Sequence, residues 1–344
     1  MDHMNFGVFI DFPVRRGMTQ ADSFDESLNL VMEAEKLGID CVWVAEHHFS
    51  ERFVSASPIV LASTIAARTS KIRIGTGVIV LPLVNPLRIA EEAATVDHVS
   101  KGRFDFGIGR SGLTKYYQGF NVPYSESRPR FLEALEVIMK AWKEDQFSYQ
   151  GEFYSYENVA VVPKPYQQPH PPIRIAAAGE DTFTLAGTLG HPILMRASRP
   201  IQQLKERVEL FRQARREAGH DGHGDVALTS PVYVAEDSYR ALSDPEASTM
   251  AEIRYTAEEL IKTIVTEEER IRLQNLGHLP YRDILQQRVM YGTFEAVVER
   301  IQEYRETLGI NGLVLETNYG GQIPNDRVLN SIRLIAEKVM PEFK

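Results

Sequence analysis

Short runs of apolar residues, rich in valine and isoleucine, alternate along the chain with longer segments whose apolar positions recur with the period of an α-helix. This alternation is typical of parallel β-strands joined by crossover helices. Eight strands are predicted, at 5–10, 41–45, 72–80, 104–108, 173–177, 192–195, 226–234 and 312–315. Helices are predicted between them, among others at 23–37, 58–68, 87–99 and 128–142.

Eight strands with intervening helices favour a closed TIM (β/α)8 barrel, because an all-parallel sheet is covered by helices and closure leaves no exposed edge. A doubly wound open sheet is the alternative. We expect one domain over residues 1–344, with two departures from a minimal barrel: turns and strand-like residues at 146–172, and a long polar insertion at 236–290 after strand seven. Since barrel active sites lie where strands end, we expect the insertion to close over the site as a lid, unless it serves an interface.

Composition narrows the class of protein. With 43% hydrophobic and 25% charged residues the chain has the make-up of a soluble enzyme, and a net charge of −9 argues against a nucleic-acid partner. No apolar stretch approaches the length that crosses a bilayer, and no export signal is visible at the N-terminus. The single cysteine, Cys41, has no internal disulfide partner. We therefore predict a cytoplasmic protein that uses neither membrane nor nucleic acid.

Ionisable residues follow the second predicted strand, in the segment Glu46-His47-His48-Phe49. An imidazole titrates near neutral pH and can therefore accept or donate a proton in catalysis. Paired histidines at a strand end are also often loop residues bonded to backbone carbonyls, so the position alone leaves both readings open. A metal site is not predicted, because neighbouring residues on a strand point to opposite faces and no third ligand stands at a recognisable spacing.

Glycines mark two further strand ends. Gly75 and Gly77 in the third strand indicate close approach by a flat ring, or else a bulge or tight packing at a barrel corner. The turn at 107–112 contains Arg110 and could hold a phosphate through backbone N–H groups and a guanidinium; its G-x-G-x-x-G spacing is a weak dinucleotide signal. A helix beginning near Gly179 offers a second phosphate site at its N-terminus, where Asp181 could equally be an N-cap.

Taken together, these segments resemble the bacterial luciferase, or alkanal monooxygenase, family. The matching motifs occur in the family's order and spacing: Glu46-His47-His48-Phe49, the run 75–82 with Asn85-Pro86, the run 100–104 with Phe106-Gly107-Ile108, then Gly292-Thr293, Gly309-Ile310 and Val339-Met340-Pro341. The resemblance is strong over the first 125 residues, weaker near 170–195 and after 290, and absent across the insertion.

The resemblance implies a barrel that binds reduced FMN, uses O2 and transfers one oxygen atom to a small or medium-sized organic substrate. A separate reductase would supply the flavin, and helix 87–99, with Ala90, Ala93 and Ala94, would help form a homodimer. His47 matches the family's active-site histidine, with Glu46 and His48 supporting it. The cofactor-binding residues implied by position are Gly77 and Val78, joined by a cis peptide against the ring, and Arg110, Ala178, Gly179 and Thr182 around the phosphate.

Three departures from the family pattern are visible. Gly109 replaces a reactive cysteine, Gly179 replaces a phosphate-binding serine, and Ala197 replaces a tryptophan near the ring. These differences make light emission doubtful and predict a looser or wider flavin pocket. A deazaflavin-dependent enzyme on the same fold and a non-catalytic flavin-binding subunit remain as alternatives to the FMN monooxygenase.

Overall fold

A computed structural model of the chain describes residues 3–263 and 266–344. Eight parallel strands, here β1 to β8, form a closed barrel surrounded by helices. In chain order the strands are Asn5–Ile10, Cys41–Val44, Arg73–Thr76, Phe104–Gly109, Ile173–Ala177, Ile193–Arg196, Val226–Val234 and Gly312–Glu316. The predicted barrel is thus confirmed.

Each barrel strand pairs in parallel with its neighbours in chain order. The ring closes where β8 returns to β1, with Gly312 opposite Asn5, and β6 pairs with β7 through Ile193 and Val226. The open doubly wound sheet is therefore wrong, since it would leave two edge strands unpaired. All eight carboxyl ends meet at one rim, which is where the side chains of a barrel site converge.

The helices alternate with the strands. In chain order α1 to α13 are Gln20–Lys36, Pro58–Arg68, Pro86–Ser100, Thr114–Gly119, Ser127–Lys143, Glu180–Leu189, Ile201–Glu217, Ser238–Ser243, Glu246–Ile261, Glu267–Gly277, Tyr281–Gln287, Phe294–Leu308 and Asn325–Leu334. Local sequence explains several starts: Thr19 and Asp22 form a capping box before α1, and Asn85 caps α3 with Pro86 as its first residue. No helix of the described residues is long and apolar enough to cross a membrane.

The third predicted strand is interrupted. β3 ends at Thr76, and Ile79–Val80 forms a separate short strand beside β4. The peptide bond between Gly77 and Val78 is cis, as the family resemblance implied. An apolar run shows that a segment is buried, but it does not show where the backbone leaves the ladder, and so the continuous strand over 72–80 is wrong in its second half.

The segment 146–172 contains an antiparallel hairpin, Phe147–Gln150 with Ser155–Val159, which agrees with its predicted turn and strand character. The insertion at 236–290 is helical through α8 to α11 and ends in a short strand, Met290–Gly292, that pairs with β7. Its helices share a small core of their own, formed by Ile253, Leu273, Leu276, Ile284 and Val289. The insertion is therefore partly an independent packing unit over the rim.

Inside the barrel, the indole of Trp43 forms a buried cluster with Leu194, Ala227 and Val314. A Cβ on Gly75 would lie 2.4 Å from the Trp43 ring, so this glycine makes room for the indole. Among the interpretations offered for Gly75, close approach by a ring, a bulge or tight packing, the structure shows tight packing against an indole.

Candidate active site

Two large cavities of the described residues lie at the carboxyl ends of the barrel strands. The first, here the histidine cavity, has a volume of about 340 Å3 and is lined by Glu46, His47, Gly77 and Val78 among others. The second, the arginine cavity, has a volume of about 380 Å3 and borders Gly179. The two cavities share four lining residues, Arg196, Thr256, Leu260 and Tyr319, and are therefore adjoining parts of one hollow under the insertion.

His47 follows β2 and is held on both ring nitrogens. Its Nε2 lies 2.8 Å from Asp11 Oδ1 and its Nδ1 lies 3.3 Å from the Tyr116 hydroxyl, while the ring stacks on Phe53 at 4.8 Å. Because an ionised carboxylate only accepts, Nε2–H donates to Asp11, and in the neutral ring Nδ1 is left as the basic nitrogen. Burial raises the pKa of the Tyr116 phenol, so this hydroxyl stays protonated and can donate to Nδ1.

Glu46 and His48 form a second pair beside this one. His48 Nε2 lies 2.8 Å from Glu46 Oε1, and the backbone N–H of Val80 donates to Glu46 Oε2 at 3.2 Å. The His48 ring packs edge-on against Tyr116 and Phe120 and does not line the histidine cavity. The pair thus fastens the end of β2 to the segment after Gly77–Val78. No group of three or more metal-binding side chains occurs among the residues that the structure describes.

The predicted phosphate residues lie around the start of α6. Gly179 is the N-cap of α6 and supplies no side-chain cap, and Thr182 lies in the first turn. Arg110 donates to Asp181 Oδ2 at 2.8 Å and to Thr182 Oγ1 at 3.3 Å, and Arg128 approaches the same carboxylate at 3.8 Å. The alternative that Asp181 is the N-cap is wrong, because it lies within the helix and pairs with arginine.

The six predicted cofactor residues are divided among three places. Gly77 and Val78 line the histidine cavity, and Ala178 and Gly179 line the arginine cavity. Arg110 and Thr182 line neither, but Ser111, next to Arg110, faces the histidine cavity. His47 and Gly77 therefore share one cavity wall, and Arg110 lies just beyond it.

Four residues of the site were missed by sequence reasoning: Asp11, Tyr116, Arg196 and Glu316. Glu316 at the end of β8 is buried, and Arg196 at the end of β6 donates to its Oε2 at 2.6 Å. Burial raises the pKa of Glu316 to about 7, and the Arg196 charge opposes that shift. Three of the four stand at or directly after a strand end, which was the available signal. Tyr116 lies in the six-residue helix α4, which carries no clear periodicity.

Comparison with known proteins places these features in a family. The family model described as luciferase-like monooxygenase matches residues 4–311. The alkanal monooxygenase alpha chain of Photorhabdus luminescens is 27% identical over 356 residues, covering 99% of this chain and 97% of that one. The oxygenase component of the flavin-dependent trigonelline monooxygenase of Acinetobacter baylyi is 32% identical over 187 residues, covering 53% of this chain and 51% of that one.

Solved structures show the same architecture. Monooxygenase RslO1 from Streptomyces bottropensis superposes with a TM-score of 0.84 at 27% identity, covering 99% of this chain and 100% of that chain. The oxygenating constituent of 3,6-diketocamphane monooxygenase of Pseudomonas putida, in complex with FMN, gives a TM-score of 0.81 at 19% identity and 99% coverage of both chains. An F420-dependent secondary alcohol dehydrogenase gives 0.78 at 20% identity and full coverage of both. The chain therefore belongs to the luciferase-like family of flavin-dependent monooxygenases.

Proposed function

We propose that this protein uses reduced FMN and O2 to oxygenate a small or medium-sized organic substrate. The observation that carries the proposal is the histidine cavity, in which His47, oriented by Asp11 and Tyr116, faces the same space as the Gly77–Val78 peptide. A basic nitrogen fixed beside a surface for a flat ring is the arrangement that proton transfer next to a flavin requires.

The residues around α6 fit the anionic end of FMN. The α6 N-terminus has no side-chain cap, which leaves the N–H groups of its first two residues available to an anion, and two guanidiniums, from Arg110 and Arg128, lie beside it. The Thr182 hydroxyl adds a further donor. Asp181 would have to yield the two arginines to the phosphate, since its carboxylate would repel that group.

The bound flavin would supply the electrons that activate O2, and the protein's own residues supply the rest. His47 takes up a proton at Nδ1 by way of the Tyr116 hydroxyl, which passes its own proton to Nδ1 as it accepts one from the reacting molecule, and returns it by the reverse path. Asp11 keeps the ring in place, and the Glu46–His48 pair holds the end of β2. Side chains of α9 line both cavities and those of α10 line the arginine cavity, so we propose that the insertion is a lid that excludes water from the hollow. A separate reductase is proposed as the source of reduced flavin, and a reducing cytoplasm, in which Cys41 stays a free thiol, fits this need.

A deazaflavin is the second candidate cofactor, because an F420-dependent enzyme shares this fold. Dissociation constants of the full chain for FMN and F420 decide between the two. A single-turnover experiment tests the activity itself. The chain reacts with reduced FMN, O2 and a panel of aldehydes, ketones and aromatic compounds, and mass spectrometry identifies the products. Absence of flavin binding would contradict the proposal.

Replacement of Arg110 is expected to weaken binding of the flavin phosphate without affecting binding of the flavin ring. Arg110→Ala should weaken FMN binding about tenfold or more, because a charge-assisted hydrogen bond to phosphate is lost, and leave riboflavin binding unchanged. Quenching of flavin fluorescence measures both constants, and Arg240→Ala, an arginine of α8 with an exposed side chain, is the matched control. Equal losses for FMN and riboflavin would place the phosphate elsewhere.

We also propose a homodimer, but through a different surface from the alanines of helix 87–99. Ala90, Ala93 and Ala94 are fully buried within the chain and are not available to a partner. The exposed faces of α2 and α3 instead border a groove of about 890 Å3, with Val60 and Val162 exposed at its side. We expect sedimentation equilibrium to give twice the chain mass of 38.9 kDa, and Val60→Asp to shift the mass towards one chain, because a buried charge opposes an apolar contact. A single-chain mass for the unmodified protein would contradict this.

A further inference from the structure

The arginine cavity is rich in one charged residue. Its described lining contains five arginines, Arg196, Arg199, Arg207, Arg272 and Arg288, and one carboxylate, Glu269. The first three belong to the barrel strand β6, the segment after it and helix α7, and the last two to the insertion, so the charges converge from both sides of the hollow. A concave wall lined by one sign of charge attracts ligands of the opposite sign.

The described carboxylates do not balance all five of these charges. Glu269 receives Arg272 Nε at 2.9 Å and Arg199 at 3.5 Å, and Glu316 binds Arg196. Arg207 and Arg288 donate to backbone carbonyls, those of Ala178 and Ser198. Two carboxylates thus pair with three of the five guanidiniums, and the other two bond to backbone carbonyls, which leaves an excess of positive charge at the wall.

Two observations indicate that no group of the described residues neutralises this excess of positive charge. Arg288 Nε is buried without a hydrogen-bond partner in the structure. Burial lowers the pKa values of Arg199 and Arg288, and neighbouring guanidiniums lower them further: Arg207 and Arg272 for Arg199, Arg272 and Arg199 for Arg288. A buried donor and crowded like charges both cost stability, and an anion in the cavity would remove both costs.

The remaining wall is apolar, with Phe183, Leu204, Leu273 and Val289 among its residues. The cavity therefore suits a molecule with an apolar body and one acidic end. Building on the proposed function, we propose that the arginine cavity binds the oxyanion of the organic substrate, a carboxylate, sulfonate or phosphate, and directs its apolar body towards the histidine cavity.

Flavin phosphate is the other possible source of an oxyanion, and the geometry favours the substrate. Of the residues proposed for the flavin phosphate, Ala178 and Gly179 border the arginine cavity, but the side chains that would hold that phosphate, those of Arg110, Arg128 and Thr182, do not line it. Arg196 and Tyr319 line both cavities, so a molecule anchored among the arginines reaches the space that His47 faces. Arg196 has 48% of its side chain accessible, although it lies under the insertion, because it faces this hollow.

The test compares phenyl compounds of similar size that differ in charge: benzoate, benzenesulfonate and phenylphosphonate against benzamide. Calorimetric titration of the full chain, with and without FMN, should show at least one anion binding about tenfold or more tightly than benzamide, the gain typical of a charge-assisted bond. Arg288→Met should abolish that preference, since Arg288 pairs with no carboxylate and its loss leaves none unpaired. Arg240→Met is the control and should retain the preference.

The outcomes separate the two proposals. If the unmodified chain binds no anion more tightly than benzamide, the anion site is overturned, whatever the flavin results are. If Arg288→Met weakens FMN binding but not riboflavin binding, the cavity holds the flavin phosphate, and the substrate assignment is overturned. If the chain prefers the anions through Arg288 but binds no flavin, the anion site is supported while the proposed function fails.

Discussion

Replacing His47 by alanine is expected to lower the rate of product formation about 100- to 10,000-fold, the contribution that a positioned acid or base typically makes. The loss should fall on the chemical step, because His47 lines the cavity wall and is not among the residues proposed to hold the flavin phosphate. Rapid-mixing kinetics with reduced FMN, O2 and a substrate identified from the panel measure the rate of product formation. The FMN dissociation constant of His47→Ala should stay within about threefold of that of the unmodified protein.

Two variants control this prediction. His223→Ala removes an exposed histidine after α7 and should leave the rate unchanged. Asp11→Asn keeps the size of the side chain but removes the charge that orients Nε2–H, so it should lower the rate by less than the loss of His47 itself. A normal rate in His47→Ala would show that the Asp11–His47–Tyr116 contacts are only structural.

Replacing Gly107 by alanine is expected to give the largest loss of stability. A Cβ at this position would lie 1.8 Å from the backbone oxygen of Thr76, far inside van der Waals contact. The same two residues exchange hydrogen bonds, since Thr76 Oγ1 donates to the Gly107 carbonyl at 2.7 Å and the Gly107 N–H donates to Thr76 Oγ1 at 3.0 Å. We expect the free energy of unfolding to fall by about 3 kcal/mol or more, because β3 and β4 must separate.

Urea unfolding followed by circular dichroism measures the loss. Gly112→Ala is the matched control in the following turn, where a Cβ would meet no atom within 4 Å, and it should change the free energy by less than about 0.5 kcal/mol. Because Thr76 directly precedes Gly77, folded Gly107→Ala protein should also bind FMN less tightly. Equal stability of the two variants would show that the strands can separate at little cost.

The architecture could be predicted because burial on both faces leaves a strong pattern. Strands such as Asn5–Ile10 and Val226–Val234 are long apolar runs, and both were predicted with their observed ends. The break after Thr76 was not visible in the apolar run, and the family resemblance implied only the cis peptide between Gly77 and Val78. The type of each residue predicts whether it is buried, whereas the path of the backbone depends on contacts with residues of other strands.

The parts of the candidate site that could be predicted are those whose residues lie in one short segment of the sequence. The segment 46–49 and the glycine-rich strand end could be picked out because their residues are close in sequence. Asp11 and His47 come from different strands, and Arg196 and Glu316 are 120 residues apart, so only the closed ring shows that they meet. The ion pair between Arg110 and Asp181 was likewise unpredictable, because it depends on side-chain directions at two strand ends.

The insertion has a core of its own, built from residues such as Leu273 and Ile284, and yet it supplies Arg272 and Leu276 to the arginine cavity. The α10 side chains do not line the histidine cavity, whereas α9 lines both cavities and bonds to the barrel through the Arg52–Glu252 pair. Exchange of the α10 residues would therefore change the wall of the arginine cavity and leave the wall around His47 as it is, whereas exchange of α9 would change both walls at once.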